Sequence, residues 1–479
     1  MRWQHPLKLA LLSGLMMVSA QARDLFVNPR TGSDTRDGLA SAMEASAGPV
    51  ASIRRAMALA QPGDTIHLDP ESSPYHEQAF LANKSGLAGA PIVLDGHGAT
   101  IDGSVPLVPD EWEKVSPGLY KSSVVAEKYC HGASPAYIGR FFLIVNGRMN
   151  RMGRFPKGSH VPYPQPSGLQ PGEWTYVEVE KAFYLRYHPE VPLEKLPVRL
   201  PGIVSGVQIS GNCHHLTVRN VTVTHVLNDG FALTVGKEPG NTVRNVRFEN
   251  IAAIECGDDG LSAHGDCEVF VDRFLSRGNS TGYCSQGTSH NRRVRIEQTD
   301  GVGIYPIGGR HTFEDSVVTG EALRLVKVVP AAPFVSTELI LKNCMVVAPP
   351  EGDPGKALVE VGEKGTLRAH RLTLQARGLV VKGVAEVEHS VLAGGAAAFL
   401  HLFAQGRWSG LRNVYDLGRF RVGDQRFERT SLETFQKETG DRESTLQVFE
   451  PFDAATPPRN LPDGVGADPS RLPQAEHFL

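Results

Sequence analysis

Three aspartates that return at the same place in a repeated motif, Asp229, Asp259 and Asp300, are the residues of this 479-residue chain best placed to do chemistry. Asn228-Asp229-Gly230 follows "LTVRNVTVTHVL", Asp258-Asp259-Gly260 follows "TVRNVRFENIAAIECG", and Thr299-Asp300-Gly301 follows "RVRIEQ". Ser280-Thr281-Gly282, after "EVFVDRFLSRGN", fills the remaining return. Paired carboxyls are the machinery of glycoside hydrolysis. One donates a proton while the other is nucleophile or base, about 5–5.5 Å apart for retention and about 6.5–9.5 Å for inversion. Closely spaced acids also raise one another's pKa, which keeps one carboxyl protonated near neutrality. Asp259, beside Asp258, is the leading catalytic residue, with Asp300 or Asp229 as its expected partner. Asp-Gly is also a turn signal in its own right, so each aspartate has a structural alternative.

Around this column stand candidates for substrate binding: Asp258, His264, Tyr283, His290, Arg292 and Arg310. His264 lies five residues past Asp259, where the stacked equivalents are Thr234 and Gln286. The segment "GYCSQGTSHNRRVRIE" supplies Tyr283, His290 and Arg292, and Arg310 follows one turn later. Such a group suits an anionic sugar, and Tyr283 and Tyr305 can stack on sugar rings or simply pack. A polysaccharide lyase acting on a uronic-acid polymer is the main alternative, with Asp258 and Asp259 as calcium ligands. A non-catalytic carbohydrate-binding solenoid is the third reading. A hydrolase is favoured because the acids share one column and no Arg/Lys-rich coil face accompanies them. No cofactor is required, and no CxxC pair or His/Cys cluster argues for zinc.

The elements that must hold these residues follow from the repeat itself. Short β-branched strands and glycine turns recurring every 20–30 residues or so are the mark of a solenoid. The expected fold is all-β, a right-handed parallel β-helix in which Asp229, Asp259, Thr281 and Asp300 stack about 4.8 Å apart. Ser52 caps "SIRRAMALA", an amphipathic helix suited to closing the open end of the solenoid. From about 105 to 200 the repeat is lost, and Trp112, Trp174 and "PKGSHVPYPQPSGLQPGEW" mark an antiparallel β-rich insert. Coils resume over 201–400, and 401–479 forms a C-terminal extension with a candidate helix in "SLETFQKETG".

Residues 1–22 read as an export signal: Arg2 and Lys8, an apolar "LALLSGLMMVSA" too short to span a bilayer, and Ala20-Gln21-Ala22. A periplasmic or secreted protein is expected, without an integral membrane segment and as a monomer, with residues 23–104 forming the cap and first coils. Six cysteines could bridge in that compartment, Cys256 and Cys267 across the Asp259 turn, or remain buried thiols. A net charge of −3 argues against a nucleic-acid partner. A polysaccharide or oligosaccharide is the expected partner.

The run from "FVNPRTGSD" through "SIRRAMALAQPGDTIHL" resembles the start of exported right-handed β-helix proteins of the pectate-lyase superfamily. The insert "FFLIVNGRMNRMGRFPKG…PGEWTY…FYLRYHPE" is similar to the small β-domain of β-helix glycoside hydrolases of the α-fucosidase/xylanase group, as is the tail "SLETFQKETG". The resemblance covers most of the mature chain and implies the β-helix and carbohydrate chemistry, though the superfamily also includes lyases, epimerases, esterases and adhesins. "GDDGLSAHG" resembles the paired aspartates and Gly-His-Gly of polygalacturonases, but here His264 lies in the same coil and lacks the first glycine, so no role carries over.

Overall fold

The computed structural model describes residues 22–44, 47–157, 161–349 and 356–478. Its main body is a sheet of 26 strands wound into a parallel β-helix. Successive coils pair in parallel register: Phe231–Val235 on Asp259–His264, the latter on Thr281–Ser285, and that on Val302–Pro306. Alternation along each strand sends every second residue inward. Phe231, Leu261, Tyr283 and Ile304 therefore stack in one interior column, each almost fully buried.

The helix Ile53–Leu59 closes the N-terminal end, with the Ser52 hydroxyl accepting from the Arg55 amide at 3.1 Å. It buries Ile53, Ala56 and Met57 against the first coils. At the other end parallel pairing does not stop at residue 400. It continues into Val414–Val422, and the helix Leu432–Thr439 then covers the exposed core with Leu432 and Phe435. The tail returns along the solenoid, burying Phe452, Val465 and Leu472 in a satellite cluster with Met345, Val391 and Val414.

The insert comprises two four-stranded antiparallel sheets packed around Phe141, Trp174 and Phe183. Its base is closed by antiparallel pairing of Ser104–Pro106 with Val198–Pro201. Beyond it the solenoid resumes directly: Val207–Gly211 pairs with Ala79–Ala82, and Cys213–Thr224 with Ile92–Asp102. All six cysteines, Cys256 and Cys267 included, are buried free thiols. The export segment before Ala22 lies outside the described residues, among which no helix is long and apolar enough to cross a membrane.

Candidate active site

The site is set by a column of glycines at which neighbouring coils touch. A Cβ on Gly260 would lie 2.7 Å from the Gly282 carbonyl, and one on Gly282 would lie 2.7 Å from the Gly303 carbonyl. Side chains there would force the coils apart, so glycine recurs. The last member is Gly303 and not Gly301, which corrects the expected register. Thr281 stands opposite Asp259 on one side and Val302 on the other. Asp300 therefore leaves the column two residues early, on the preceding turn, with its side chain 52% exposed.

Asp229, Asp258 and Asp259 do come together. One carboxyl oxygen of each lies within 4.8 Å of the others, and all three side chains are buried. Asp229 is held by its surroundings: Oδ1 accepts from the Asp259 amide at 3.1 Å and Oδ2 from Asn228 Nδ2 at 3.0 Å. Burial, then Asp259 and Asp258, push its pKa well above the usual carboxylate range. Burial and the Asp258 charge push Asp259 up to about 6, against the pull of Lys157. Asp258 goes the other way. Burial raises it, but Lys157 and Arg140 outweigh burial and hold it below the ordinary value. One cluster thus contains carboxyls driven in opposite directions, the arrangement acid/base catalysis requires.

The opposing cations come from the insert. Arg140 Nε donates to Asp258 Oδ2 at 2.8 Å, while Lys157 Nζ lies 3.3 Å from Asp258 Oδ1 and is hydrogen-bonded to Asp259 Oδ1. Arg151, itself buried, donates to the carbonyls of Gly257 (2.6 Å) and Cys256, and its Nε lies 3.7 Å from Asp300. Sequence reasoning missed all three, because it weighed only cations on the coils and these come from the insert. For Arg151 and Lys157 the signal was the basic run "NGRMNRMGRFPK", which lies outside the repeat and about a hundred residues from its partners; Arg140 stands before that run. A calcium ion, which takes about six to eight oxygens, would meet an ammonium and a guanidinium already in place on these carboxylates.

The other predicted residues divide sharply. His264 is the exposed last residue of the strand that begins at Asp259, its Nε2 2.9 Å from the Ser262 hydroxyl, and the surrounding protein followed by the Lys157 charge lowers its pKa. Tyr283 does not line the cleft. It belongs to the interior column, edge-on to Phe313 with ring centroids 5.1 Å apart, because it has the same strand parity as Leu261. Tyr305, of opposite parity, stands in register with Cys284 on the outward side, with Lys327 Nζ 5.3 Å from its ring. His290, Arg292 and Arg310 belong to the strands Thr288–Glu297 and Gly309–Glu314, on another face of the helix. There His290 stacks on Phe270, Arg292 pairs with Asp315 at 3.4 Å, and Arg310 pairs with Glu338.

Beside the cluster, Arg151 forms one wall of a polar cleft of about 640 Å³ between insert and solenoid. Asp300, Glu255, Glu321, Gln298 and Phe155 also line it. Burial raises the pKa of Asp300 there, opposed by Arg151, while His225 and its hydrogen bond hold Glu255 below the ordinary value.

No protein-family model and no curated protein matches this chain. Among solved structures, one described as the complex of XylC with xylose aligns at 12% identity and a TM-score of 0.43, covering 84% of this chain and 72% of that one. A structure described as a glycoside hydrolase aligns at 10% identity and a TM-score of 0.43, covering 84% and 96%. A GH136 lacto-N-biosidase from Eubacterium ramulus aligns at 11% and 0.38, covering 89% and 68%.

Proposed function

We propose that this chain is an exported glycoside hydrolase in which Asp259 moves the proton and Asp258 supplies the ionised carboxylate. The observation that carries this reading is the opposed electrostatics of two adjacent buried aspartates under one pair of insert cations. Asp229, its pKa pushed up by burial and the neighbouring acids, accepts from the Asp259 amide and so fixes the turn. Separations within 4.8 Å lie nearer the about 5–5.5 Å of a double-displacement mechanism than the wider inverting spacing. The sugar chain approaches along the cleft walled by Arg151, and the flexible stem of Lys157 swings aside as the glycosidic oxygen reaches Asp259. His264 then meets sugar hydroxyls at the rim.

The test uses protein beginning at Arg23, screened on neutral and uronic polysaccharides with and without EDTA. New reducing ends without the ultraviolet absorbance of an unsaturated uronate are expected, and that absorbance would instead identify a lyase. Asp259→Asn should lower turnover by about 10²–10⁴-fold while the protein still melts as a folded β-helix. Binding without turnover in the unaltered protein on every substrate would leave only the carbohydrate-binding reading. Sequencing the N-terminus of protein from its native host tests export, with cleavage after Ala22 expected.

A further inference from the structure

The parallel register between coils brings together a second set of side chains that sequence spacing conceals. His370 and Glu388 stand opposite each other in the paired strands Gly365–Gln375 and Val384–Glu388. His389 follows at the corner, where a φ of 50° continues a left-handed column formed by Asn343 and Arg371 and carried on by Arg412. One ligating atom from each of His370, Glu388 and His389 lies within 4.8 Å of the others. The imidazole rings are 5.2 Å apart, inclined at 64°, so they converge without stacking. His389 Nδ1 is buried and has no hydrogen-bond partner, which leaves a lone pair or a proton without compensation.

We infer that His370, Glu388 and His389 form a binding site for a first-row divalent transition cation of the zinc class. Two imidazoles and one carboxylate are the donor set such ions prefer, with water completing the shell, whereas calcium and magnesium demand mostly oxygen. The backbone register already sets the coils of His370 and Glu388 side by side, so side-chain rotation can draw the ligand atoms toward metal-bonding distance. The nearby cations are largely engaged: Arg412 pairs with Glu443 at 2.7 Å and Arg371 donates to the Gly466 carbonyl at 3.2 Å. Lys342 lies in register with His370 one coil back. The site also adjoins the tail, since the Gly466 amide donates to the His389 carbonyl at 2.8 Å. A bound ion would tie two coils together at the point where the tail is fastened, and so stabilise the folded chain in proportion to its concentration.

The proposal is independent of the catalytic reading. It is tested by calorimetric titration and thermal melting of EDTA-treated, dialysed full-length mature protein with zinc chloride, nickel chloride and calcium chloride. One zinc or nickel ion per chain, a melting temperature that climbs with zinc and reverts with EDTA, and no response to calcium are expected. His389→Ala and His370→Ala should each weaken zinc binding by more than the about 10–100-fold that loss of an outer-shell partner costs. Glu388→Gln, which preserves shape and hydrogen bonding, should weaken it as well and guards against misfolding of the histidine variants. No zinc binding, or binding that survives all three substitutions and disappears in Asp259→Asn, would overturn the assignment.

Discussion

Two Asp-Gly turns on the same solenoid, at Asp95 and at Asp259, use the same dipeptide to opposite electrostatic ends. Around Asp95 the next coil offers donors. Arg219 Nε lies 2.7 Å from Oδ2, while Asn220 Nδ2 and the His97 amide reach Oδ1 at 2.9 and 3.0 Å. Burial pushes Asp95 up, but those bonds more than reverse it and leave its pKa below the ordinary value. Around Asp259 burial and the charge of Asp258 on the same turn drive the carboxyl up, against the pull of Lys157. A buried carboxylate surrounded by donors is a rivet, and one surrounded by carboxylates is a proton reservoir. The dipeptide is the same, so the groups packed around it decide the role.

The sharpest way to break this comparison is to make the same substitution at both turns. Asp259→Asn should lower turnover by about 10²–10⁴-fold, the usual contribution of a positioned acid or base, with little change in melting temperature. Asp95→Asn should do the reverse, costing about 1.5–3 kcal/mol through its lost charge-assisted hydrogen bonds while specific activity holds. Equal behaviour of the two variants would erase the distinction. The next test concerns Lys157, whose ammonium restrains the rise at Asp259. If protonated Asp259 is the acid, activity declines as pH rises through about 6. Lys157→Met should move that alkaline limb upward by about 1–3 units, measured as kcat/KM against pH.

The smallest expected effect lies next to the cleft, at His225, 3.3 Å from Asp102 and 3.1 Å from Glu255. Burial lowers its pKa, but the two carboxylates outweigh burial and bring it up to about 9. A raised folded-state pKa means the stabilisation is complete below the unfolded value of about 6.5 and fades as pH rises through about 9. Melting temperature should therefore drift downward across that window, and His225→Gln should remove the drift. A slope unchanged in the variant would assign it to other groups.

How much of this was legible in the sequence depends on whether the information was periodic. The solenoid and the Asp229/Asp259 pairing follow from recurrence, because coil stacking converts equal spacing into contact, and the capping helix follows from its Ser52 cap and apolar face. Asp300 was misplaced because Gly301 and Gly303 are both plausible contact glycines, and only the packing of real coils chooses the second. The burial of Tyr283 was readable after all: it lies two residues past Thr281, as Leu261 lies two past Asp259, and Leu261 is core. Arg140, Arg151 and Lys157 could not be placed. They reach the site from an aperiodic insert, and nothing in their local sequence says which coil they will face. His370 and His389 show the converse, since a separation that looks meaningless along the chain is one coil in space.

The closed base of the insert has a consequence for how the chain folds. Its two ends are strands paired with each other, so whatever the insert does internally, it hands the solenoid two neighbouring ends. The entropy of closing a loop grows only logarithmically with its length, and here the closure is completed by the insert's own hydrogen bonds. To the coils on either side, Ile92–Asp102 and Cys213–Thr224, roughly a hundred intervening residues count as little more than a tight turn. Winding of the helix can then proceed across the junction as a local event.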